Sequence, residues 1–211
     1  MSKQKRGICE RRNATVPADA PTQAATEIML IRHAPALSEG RMAGRRNVEA
    51  DCSDAMAFAA VRGAVGVADH WWISPARRCV QTAAALWPDA EPQQDARLCE
   101  QDFGAWEDVA YADLPDLGAL SLPDLAAHRP PQGESFLDLS ARVVPALREA
   151  SALGGRVVIV AHAGVIRAAL GMALGAAELG LAFQVAPLSL TTIVALPDGA
   201  FSIAGVNRMR R

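Results

Sequence analysis

Two histidines in this sequence each follow a short run of apolar residues. His162 comes directly after the run 157–161, VVIVA, and His33 comes one residue after the run 28–31, IMLI. Apolar runs rich in β-branched residues are typical of strands buried on both faces of a sheet. A single histidine at a strand end is most often a hydrogen-bonded core residue, but two at matching positions favour a shared polar site.

Arginines stand close to these histidines and to the end of a third apolar run. Arg32 immediately precedes His33, and Arg78 follows the run 70–73, HWWI. Guanidinium groups bind phosphate dianions through paired N–H donors, and the N-terminus of a helix adds backbone donors. Helices are predicted to begin after Ser74 and after His162, so the sequence predicts a crevice that binds a phosphoryl group.

The same segments contain a candidate nucleophile and candidate acids. Neutral imidazole is a nucleophile near pH 7, since its reference pKa is about 6.5. Transfer of a phosphoryl group to imidazole also needs an acid that protonates the leaving oxygen. The segment CEQDFGAWED, residues 99–108, offers three carboxylic acids for that role, Glu100, Asp102 and Glu107.

Composition and motifs exclude several other classes of protein. The 211 residues carry a formal net charge of −2, so no general attraction to nucleic acid or to an anionic membrane is expected. The four cysteines form no C-x-x-C pair, and the histidines show no metal-binding spacing, so no metal is expected. The nucleotide-binding glycine motifs are missing, and no apolar stretch is long enough to span a membrane.

The elements that must position these residues alternate between strands and helices. Strands are predicted over 28–31, 70–74 and 157–161, within 96–108, and as a hairpin around Pro197-Asp198-Gly199. One helix is predicted to begin at the capping Ser53, and a second to run to Leu86 with Ser74 as N-cap and Pro75 in its first position. Two more are predicted, one from Phe136 with a kink at Pro145 and one over 164–174. This alternation predicts an α/β fold with a mostly parallel sheet, one antiparallel element and helices on both faces. Ligands bind beyond the carboxyl ends of such strands.

Two further segments have their own composition. Residues 1–26 mix charged, small and proline residues without a period, which predicts a disordered leader before a domain over 27–211. Residues 111–133 are rich in proline, aspartate and leucine, which predicts short helical turns that form a lid.

Four motifs, taken in order, resemble those of the histidine phosphatase superfamily, which has the phosphoglycerate mutase-like fold. They are LIRHA at 30–34, SPARRCVQTA at 74–83, CEQDFGAWE at 99–107 and VAHAGVIR at 160–167. The resemblance covers about residues 27–211. It implies a three-layer α/β/α sandwich and a reaction without a metal or a cofactor.

The resemblance also implies a role for each matching residue. His33 is the nucleophile that becomes phosphorylated, and Glu100 is the proton donor. Arg32, Arg78 and His162 form the phosphate pocket, and His162 is also counted as catalytic.

The chain departs from the family pattern at three positions. Ala34 stands where a glycine usually follows the nucleophile, and Glu39 stands where many mutases have asparagine. Asp108 stands where a glycine usually follows the Trp-Glu pair. The change at Glu39 weakens the resemblance to mutases.

The function expected from the sequence is a metal-independent phosphomonoesterase that works through a phosphohistidine. The variants RCVQTA, DFGAWED and PPQGES look most like those of α-ribazole phosphatases of cobalamin assembly, which makes α-ribazole 5′-phosphate the expected substrate. The alternatives are a phosphoglycerate mutase-like phosphomutase and an inactive phosphate-binding interaction module. A small phosphomonoester is the expected partner, a homodimer is one oligomeric state left open, and reduced cysteines indicate the cytoplasm.

Several residues have more than one interpretation at this level. Arg167 is either a substrate contact or a residue paired within its helix, and the GES segment at 133–135 fits either helix initiation or substrate contact. Arg41, Arg45 and Arg46 follow the nucleophile and form either a solvated charge run or a second anion contact. Structural roles are predicted for His70 and His128, and the sheet core for Trp71 and Trp72.

Overall fold

A six-stranded sheet forms the centre of the computed structural model, which describes residues 24–209. The strands are β1 Thr26–Arg32, β2 His70–Ile73, β3 Gln93–Gln94, β4 Gly155–Ala161, β5 Leu190–Ala195 and β6 Phe201–Arg208. Their order across the sheet is β3-β2-β4-β1-β5-β6. Only β5 of these six runs against the other strands, so the predicted, mostly parallel sheet with one antiparallel strand is confirmed.

Five α-helices accompany the sheet in the described residues. They are α1 Ala55–Val65, α2 Arg77–Leu86, α3 Leu122–Ala127, α4 Phe136–Ser151 and α5 Ala163–Leu174. Alternate residues of β1 show how the layers form: Met29 and Ile31 pack in one apolar cluster with residues of α1 and α2, while Ile28 and Leu30 pack in another with α4 and α5. Because successive side chains of a strand point to opposite faces, the fold is a three-layer α/β/α sandwich, as expected.

Three predicted boundaries are wrong, and each has a local cause. The N-cap of α1 is Asp54 rather than Ser53, because the Asp54 carboxylate accepts the N–H of Ala57 at 2.9 Å. Helix α2 begins at Arg77 instead of directly after Ser74, and its N-cap Ala76 makes no side-chain capping bond. The strand expected in 96–108 is a 3₁₀ turn over Ala96–Leu98, and the sheet edge is instead the short β3.

The remaining connections largely follow the sequence. Ser135 caps α4 in a reciprocal capping box with Asp138, and the helix continues through Pro145. The segment 111–133 contains a 3₁₀ turn at Tyr111–Asp113 and the short α3, which matches the predicted helical turns. No helix within residues 24–209 is long and apolar enough to cross a membrane.

The predicted leader lies almost entirely outside the described residues. Its last residue, Thr26, belongs to β1 and is fully buried. The Thr26 hydroxyl donates to the carbonyl of Ser151 at 2.7 Å and accepts the N–H of Gly154 at 3.0 Å. The strand therefore starts one residue before the predicted start of the domain.

Candidate active site

Three neighbouring parallel strands have their carboxyl ends side by side, and this arrangement brings the predicted residues together. Strands β2, β4 and β1 are adjacent, and Ser74, His162 and His33 follow their carboxyl ends. The N–H of His33 donates to Ala161 at 2.9 Å, which ties the two histidine segments to each other. The two imidazole rings lie 5.1 Å apart between centroids and meet edge to face.

Arg78, in the first turn of α2, connects the two histidines. Its guanidinium is 1% exposed, and it donates from Nε to His33 Nε2 at 3.1 Å and from Nη2 to His162 Nδ1 at 3.0 Å. It also donates to the carbonyls of Gly44 at 2.7 Å and Arg46 at 2.9 Å. A buried cation thus faces both imidazoles, at a helix N-terminus where the backbone already favours an anion.

The hydrogen-bond partners fix the tautomers of both histidines. His33 Nδ1 lies 2.6 Å from the carbonyl oxygen of Ala34, which only accepts, so Nδ1 carries the proton and Nε2 is left with its lone pair. Arginine only donates, so His162 Nδ1 is the acceptor toward Arg78 and His162 Nε2 donates to Ser74 Oγ at 2.8 Å. Both rings are therefore neutral in this arrangement.

Burial and charge keep the two rings neutral. Burial, with Arg78 as the second cause, lowers the pKa of His33 to about 3. Burial likewise lowers the pKa of His162 well below its ordinary value, and Arg78 and His33 add to that effect. A neutral imidazole with a free nitrogen is the nucleophilic form.

Ser74 is a site residue that the sequence assigned to a different role. It was predicted to cap α2, but its buried hydroxyl accepts the Nε2 proton of His162. The thiol of the buried Cys79 lies 3.5 Å from the same nitrogen. The Ser-Pro pair is a local helix-start signal, whereas this contact joins residues 88 positions apart, so only the strand pairing could have indicated it.

Arg32 provides a second guanidinium with an open donor. Its Nη1 donates to the carbonyl of Val185 at 2.6 Å, while its buried Nε has no hydrogen-bond partner in the part of the chain that the structure describes. Burial lowers the pKa of Arg32, although the nearby Glu100 opposes that effect. Leaving a buried N–H unpaired is costly, so this donor is suited to an anion that enters the crevice.

Glu100 is the carboxylate that reaches the crevice, and the other two candidate acids are used elsewhere. Its Oε1 accepts the N–H of Gly164 at 3.1 Å and of Gln101 at 3.0 Å. Asp102 accepts the N–H of Gly104 at 2.8 Å, and Glu107 accepts the N–H of Arg45 at 2.7 Å. Asp102 thus stabilises a turn of its own loop, and Glu107 ties that loop to the segment that contains Arg45.

The crevice is a cavity of about 200 Å³. Its charged and titratable lining consists of Arg32, His33, Arg78, Glu100 and Arg167, and its apolar lining includes Met42, Phe103, Tyr111, Phe136 and Leu181. His162 is fully buried and contacts the site through Arg78. The structure thus brings the residues predicted for the phosphate pocket together, and Arg167 lines the same cavity.

The three arginines that follow His33, at positions 41, 45 and 46, hold loops together. Arg41 donates to the carbonyl of Asp108 at 2.6 Å, and Arg46 pairs with the Asp108 carboxylate at 2.8 Å. Arg45 pairs with Glu134 at 2.8 Å. Neither of the two predicted interpretations, a solvated charge run or a second anion contact, describes these bonds.

The three departures from the family pattern are accommodated without a clash. Ala34 is fully buried and its N–H donates to Thr82 Oγ1 at 2.9 Å. Glu39 is exposed in a turn with φ of 53°. Asp108 also has a positive φ, 67°, which explains why glycine would suit this position.

The geometry offers little to a metal ion. Within residues 24–209 there is no group of three or more His, Cys, Asp or Glu side chains placed to hold one. Three arginines and one carboxylate line the crevice, and this donor set favours an anion over a cation.

Comparison with known proteins identifies the class of protein that this fold and site define. The family described as the histidine phosphatase superfamily (branch 1) matches residues 28–208. The chain therefore belongs to the histidine phosphatase superfamily.

Individual proteins match most of the chain in sequence or in fold. The bifunctional protein Rv2228c of Mycobacterium tuberculosis is 33% identical over 205 residues, which cover 87% of this chain and 54% of the relative. The chain thus spans about half the length of the curated relatives it matches. The solved structure of mycobacterial hydrolase 1 superposes with a TM-score of 0.77 at 24% identity, covering 88% of this chain and 100% of that one.

A second solved structure has the same fold. An Escherichia coli protein assigned as an alpha-ribazole-5′-P phosphatase superposes with a TM-score of 0.74 at 21% identity, covering 87% of this chain and 96% of that one. At such identity the likeness concerns the fold alone.

Proposed function

We propose that this chain is a metal-independent phosphomonoesterase that works through a phosphohistidine on His33. One observation carries the proposal: the unprotonated Nε2 of His33 lies in a crevice with the buried guanidinium of Arg78 and the partly buried one of Arg32. Within the described residues the buried Nε of Arg32 has no hydrogen-bond partner. A phosphate dianion satisfies that donor and brings its phosphorus to His33 Nε2 as Arg78 turns from this nitrogen to the phosphate.

The proposed first half-reaction uses Glu100 as an acid. The lone pair of His33 Nε2 forms a bond to phosphorus while the bond from phosphorus to the ester oxygen breaks. Protonated Glu100 gives its proton to that oxygen, so an alcohol leaves. The donors of Arg78 that now contact the imidazoles turn to the phosphoryl oxygens and stabilise their charge.

The second half-reaction restores the enzyme. The Glu100 carboxylate takes a proton from water, the water oxygen bonds to phosphorus, and the bond from phosphorus to His33 Nε2 breaks. Inorganic phosphate leaves, and Glu100 is again protonated for the next cycle. Each group ends as it began, so the cycle consumes neither an oxidant nor a reductant, and its proton transfers and phosphate contacts are provided by Glu100 and the arginines.

A small phosphomonoester with an apolar or aromatic alcohol is the proposed substrate, with α-ribazole 5′-phosphate as the specific candidate. Apolar side chains such as Phe103, Tyr111 and Leu181 line the crevice beside the cations, which suits a ring system. Arg41, Arg45 and Arg46, which could have bound a polyanion, are engaged within the protein. The motif variants noted above point to the same subfamily, and the Escherichia coli structure shares the fold.

The proposed location is the cytoplasm. Cys52, Cys79 and Cys99, the cysteines in the described residues, are unpaired thiols, which fits a reducing compartment. A homodimer stays an open proposal for the oligomeric state.

Trapping the intermediate tests the mechanism. The full chain is mixed with ³²P-labelled substrate, quenched and assayed for acid-labile, base-stable phosphate on the protein. The label is expected in the wild-type chain, also with excess chelator, and is expected to vanish in His33→Ala. A label that persists in His33→Ala, or turnover that stops with chelator and returns with added metal, contradicts the mechanism.

A substrate panel tests the specificity. The kcat/KM values are compared for α-ribazole 5′-phosphate, 3-phosphoglycerate, fructose 2,6-bisphosphate and nucleoside monophosphates, because specificity is a ratio of these values. α-Ribazole 5′-phosphate is expected to lead. A lead of about tenfold, or about 1.4 kcal/mol in the barrier, for 3-phosphoglycerate or the bisphosphate, which carry a second anionic group, overturns the proposed substrate and leaves the phosphatase mechanism in place. Interconversion of phosphoglycerates without release of phosphate would indicate a mutase.

A further inference from the structure

Glu100 lies in a loop whose backbone is held from outside the crevice. The loop has no regular hydrogen-bonded structure between the 3₁₀ turns at Ala96–Leu98 and Gly104–Trp106. Arg142 of α4 donates from Nη1 to the carbonyls of Arg97 at 2.7 Å and Cys99 at 3.1 Å, and from Nη2 to the carbonyl of Glu100 at 3.3 Å. The position of the Glu100 backbone therefore depends on where this guanidinium is fixed.

One carboxylate fixes that guanidinium. Glu134 accepts from Arg142 Nε at 3.1 Å through Oε1 and from Arg142 Nη2 at 2.9 Å through Oε2, which is the two-pronged geometry of a strong arginine–carboxylate pair. Both side chains are about four-fifths buried, with 20% and 21% of their area exposed. Water competes weakly for a pair shielded to this degree, so the pair holds its geometry better than a surface ion pair.

Glu134 also reaches a second arginine and the loop itself. Its Oε1 accepts from Arg45 Nη2 at 2.8 Å, and Arg45 Nε makes a long contact of 3.4 Å with the carbonyl of Glu100. Its Oε2 accepts the N–H of Asp102 at 3.2 Å. The backbone of Glu134 makes two further bonds: its carbonyl accepts from the Gln101 side-chain amide at 2.7 Å, and its N–H donates to the carbonyl of Asp102 at 2.7 Å. Burial acts to raise the pKa of Glu134, but the bonds from Arg142 and Asp102 outweigh it and the pKa is lowered.

We infer that Glu134 is a positioning residue for the leaving-group acid, since it holds Arg142 and Arg45 on the loop that presents Glu100 to the crevice. This inference rests on the proposed role of Glu100. Glu134 does not line the cavity in the described structure, so it acts on the reaction only through Glu100. Removal of its charge leaves two guanidiniums facing each other without a counter-ion, and the loop is expected to shift.

Such a shift has a kinetic signature that lost stability does not produce. A poor alkoxide leaving group needs the proton from Glu100, while p-nitrophenolate leaves with little help. Glu134→Gln keeps the shape of the side chain and is expected to lower kcat/KM for glycerol 2-phosphate about tenfold or more, because small misplacements of a catalytic group are costly. The quantity compared is kcat/KM, because it ends at the loss of the alcohol and excludes the shared hydrolysis of the phosphohistidine. On p-nitrophenyl phosphate the expected loss is within about twofold.

Glu149→Gln is the matched control. Glu149 pairs with Arg97, at the start of the same loop, at 2.6 Å, but its side chain is 57% exposed. Within the described residues, the side chain of Arg97 bonds to Asp95 and Glu149 and not to Glu100. In Glu149→Gln, the ratio of kcat/KM for glycerol 2-phosphate to kcat/KM for p-nitrophenyl phosphate is expected to stay at the wild-type value. Arg142→Lys, which keeps the charge but loses the planar fork, is expected to change the ratio in the same direction as Glu134→Gln.

The double variant Glu100→Gln/Glu134→Gln separates the two hypotheses. If Glu134 acts through Glu100, its substitution changes the ratio no further in the Glu100→Gln background. Thermal unfolding first shows that Glu134→Gln and Arg142→Lys are folded. If each variant then loses the same factor on both substrates, the positioning role of Glu134 is overturned while the role of Glu100 stands. A Glu100→Gln variant with the wild-type ratio overturns both roles.

Discussion

Arg78 donates a hydrogen bond of 3.1 Å from Nε to the Nε2 of His33. His33 Nε2 is the nitrogen that attacks phosphorus in the proposed reaction, and here its lone pair accepts a hydrogen bond from the Arg78 cation. The same guanidinium holds His162 Nδ1, so one residue sets the orientation and the charge of both imidazoles. When phosphate enters in the proposed reaction, Arg78 gives up its bonds to the imidazoles and donates to the phosphate oxygens instead. Binding of phosphate therefore frees the Nε2 lone pair of His33 for attack.

Arg78→Lys is expected to lower kcat/KM for p-nitrophenyl phosphate by about 100-fold or more, because an ammonium group cannot bridge two imidazoles and two carbonyls or bind phosphate with two prongs. Arg77→Lys, next to it on α2, is the control. Arg77 is exposed and pairs with Glu49, and its substitution is expected to leave kcat/KM unchanged. Steady-state kinetics on variants with matched thermal unfolding measure both, and equal effects of the two substitutions would contradict a role for Arg78 in the site.

The depressed pKa of His33 predicts a specific loss of stability in acid. The folded chain holds His33 at a pKa of about 3, whereas the unfolded residue has its ordinary value of about 6.5. Between these values the unfolded chain binds more protons, so the free energy of unfolding falls as the pH falls through this window. From about pH 7 to about pH 4.5, the wild-type chain is expected to lose about 2 kcal/mol more than His33→Asn.

Urea unfolding at the two pH values measures this difference. Asparagine removes the titrating group and keeps a polar side chain in the pocket. If both chains lose the same amount, His33 takes up its proton in the folded state near its ordinary pKa, and the burial argument fails.

The grouping of the site residues could be predicted because it follows from features that are local in sequence. Apolar runs indicate strands, and a polar residue just beyond a run lies at a strand end whatever the rest of the chain does. His33, His162 and Arg78 were found in this way. The hairpin and the helix that begins after Ser135 were predicted from equally local turn and capping signals.

What could not be predicted depends on contacts between distant segments. The sequence around Ser74 favours a helix cap, but its hydroxyl meets His162 across the sheet. Residues 41–46 form a dense charge run, yet their partners lie about 60 to 90 positions away. Local propensity does not encode such pairs, because tertiary packing selects them.

Glu100→Gln is expected to lower kcat/KM for glycerol 2-phosphate by about 100-fold or more and for p-nitrophenyl phosphate by far less, because only the alkoxide needs the proton. The comparison uses kcat/KM, which ends at the loss of the alcohol and so does not include the hydrolysis of the phosphohistidine that both substrates share. Asp102→Asn is the control within the same loop. Asp102 Oδ1 accepts the N–H of Gly104, and asparagine keeps that acceptor. The ratio of kcat/KM for glycerol 2-phosphate to kcat/KM for p-nitrophenyl phosphate should change only in Glu100→Gln. A changed ratio in Asp102→Asn alone would transfer the acid role to Asp102.

Gly164 tests how closely the acid must be held. It lies in the first turn of α5, where its N–H donates to Glu100, and an added Cβ would collide with Glu100 Oε1 and come within 2.8 Å of Leu139. Gly164→Ala is therefore expected to displace the carboxylate and to lower kcat on glycerol 2-phosphate about tenfold or more.

Gly63→Ala in α1 is the control, since a Cβ there meets nothing within 4 Å. It should leave kcat unchanged and raise the free energy of unfolding by about 0.5 to 1 kcal/mol, the usual gain when alanine replaces glycine within a helix. Wild-type kcat in Gly164→Ala would show that the Glu100 carboxylate is free to move without loss of catalysis.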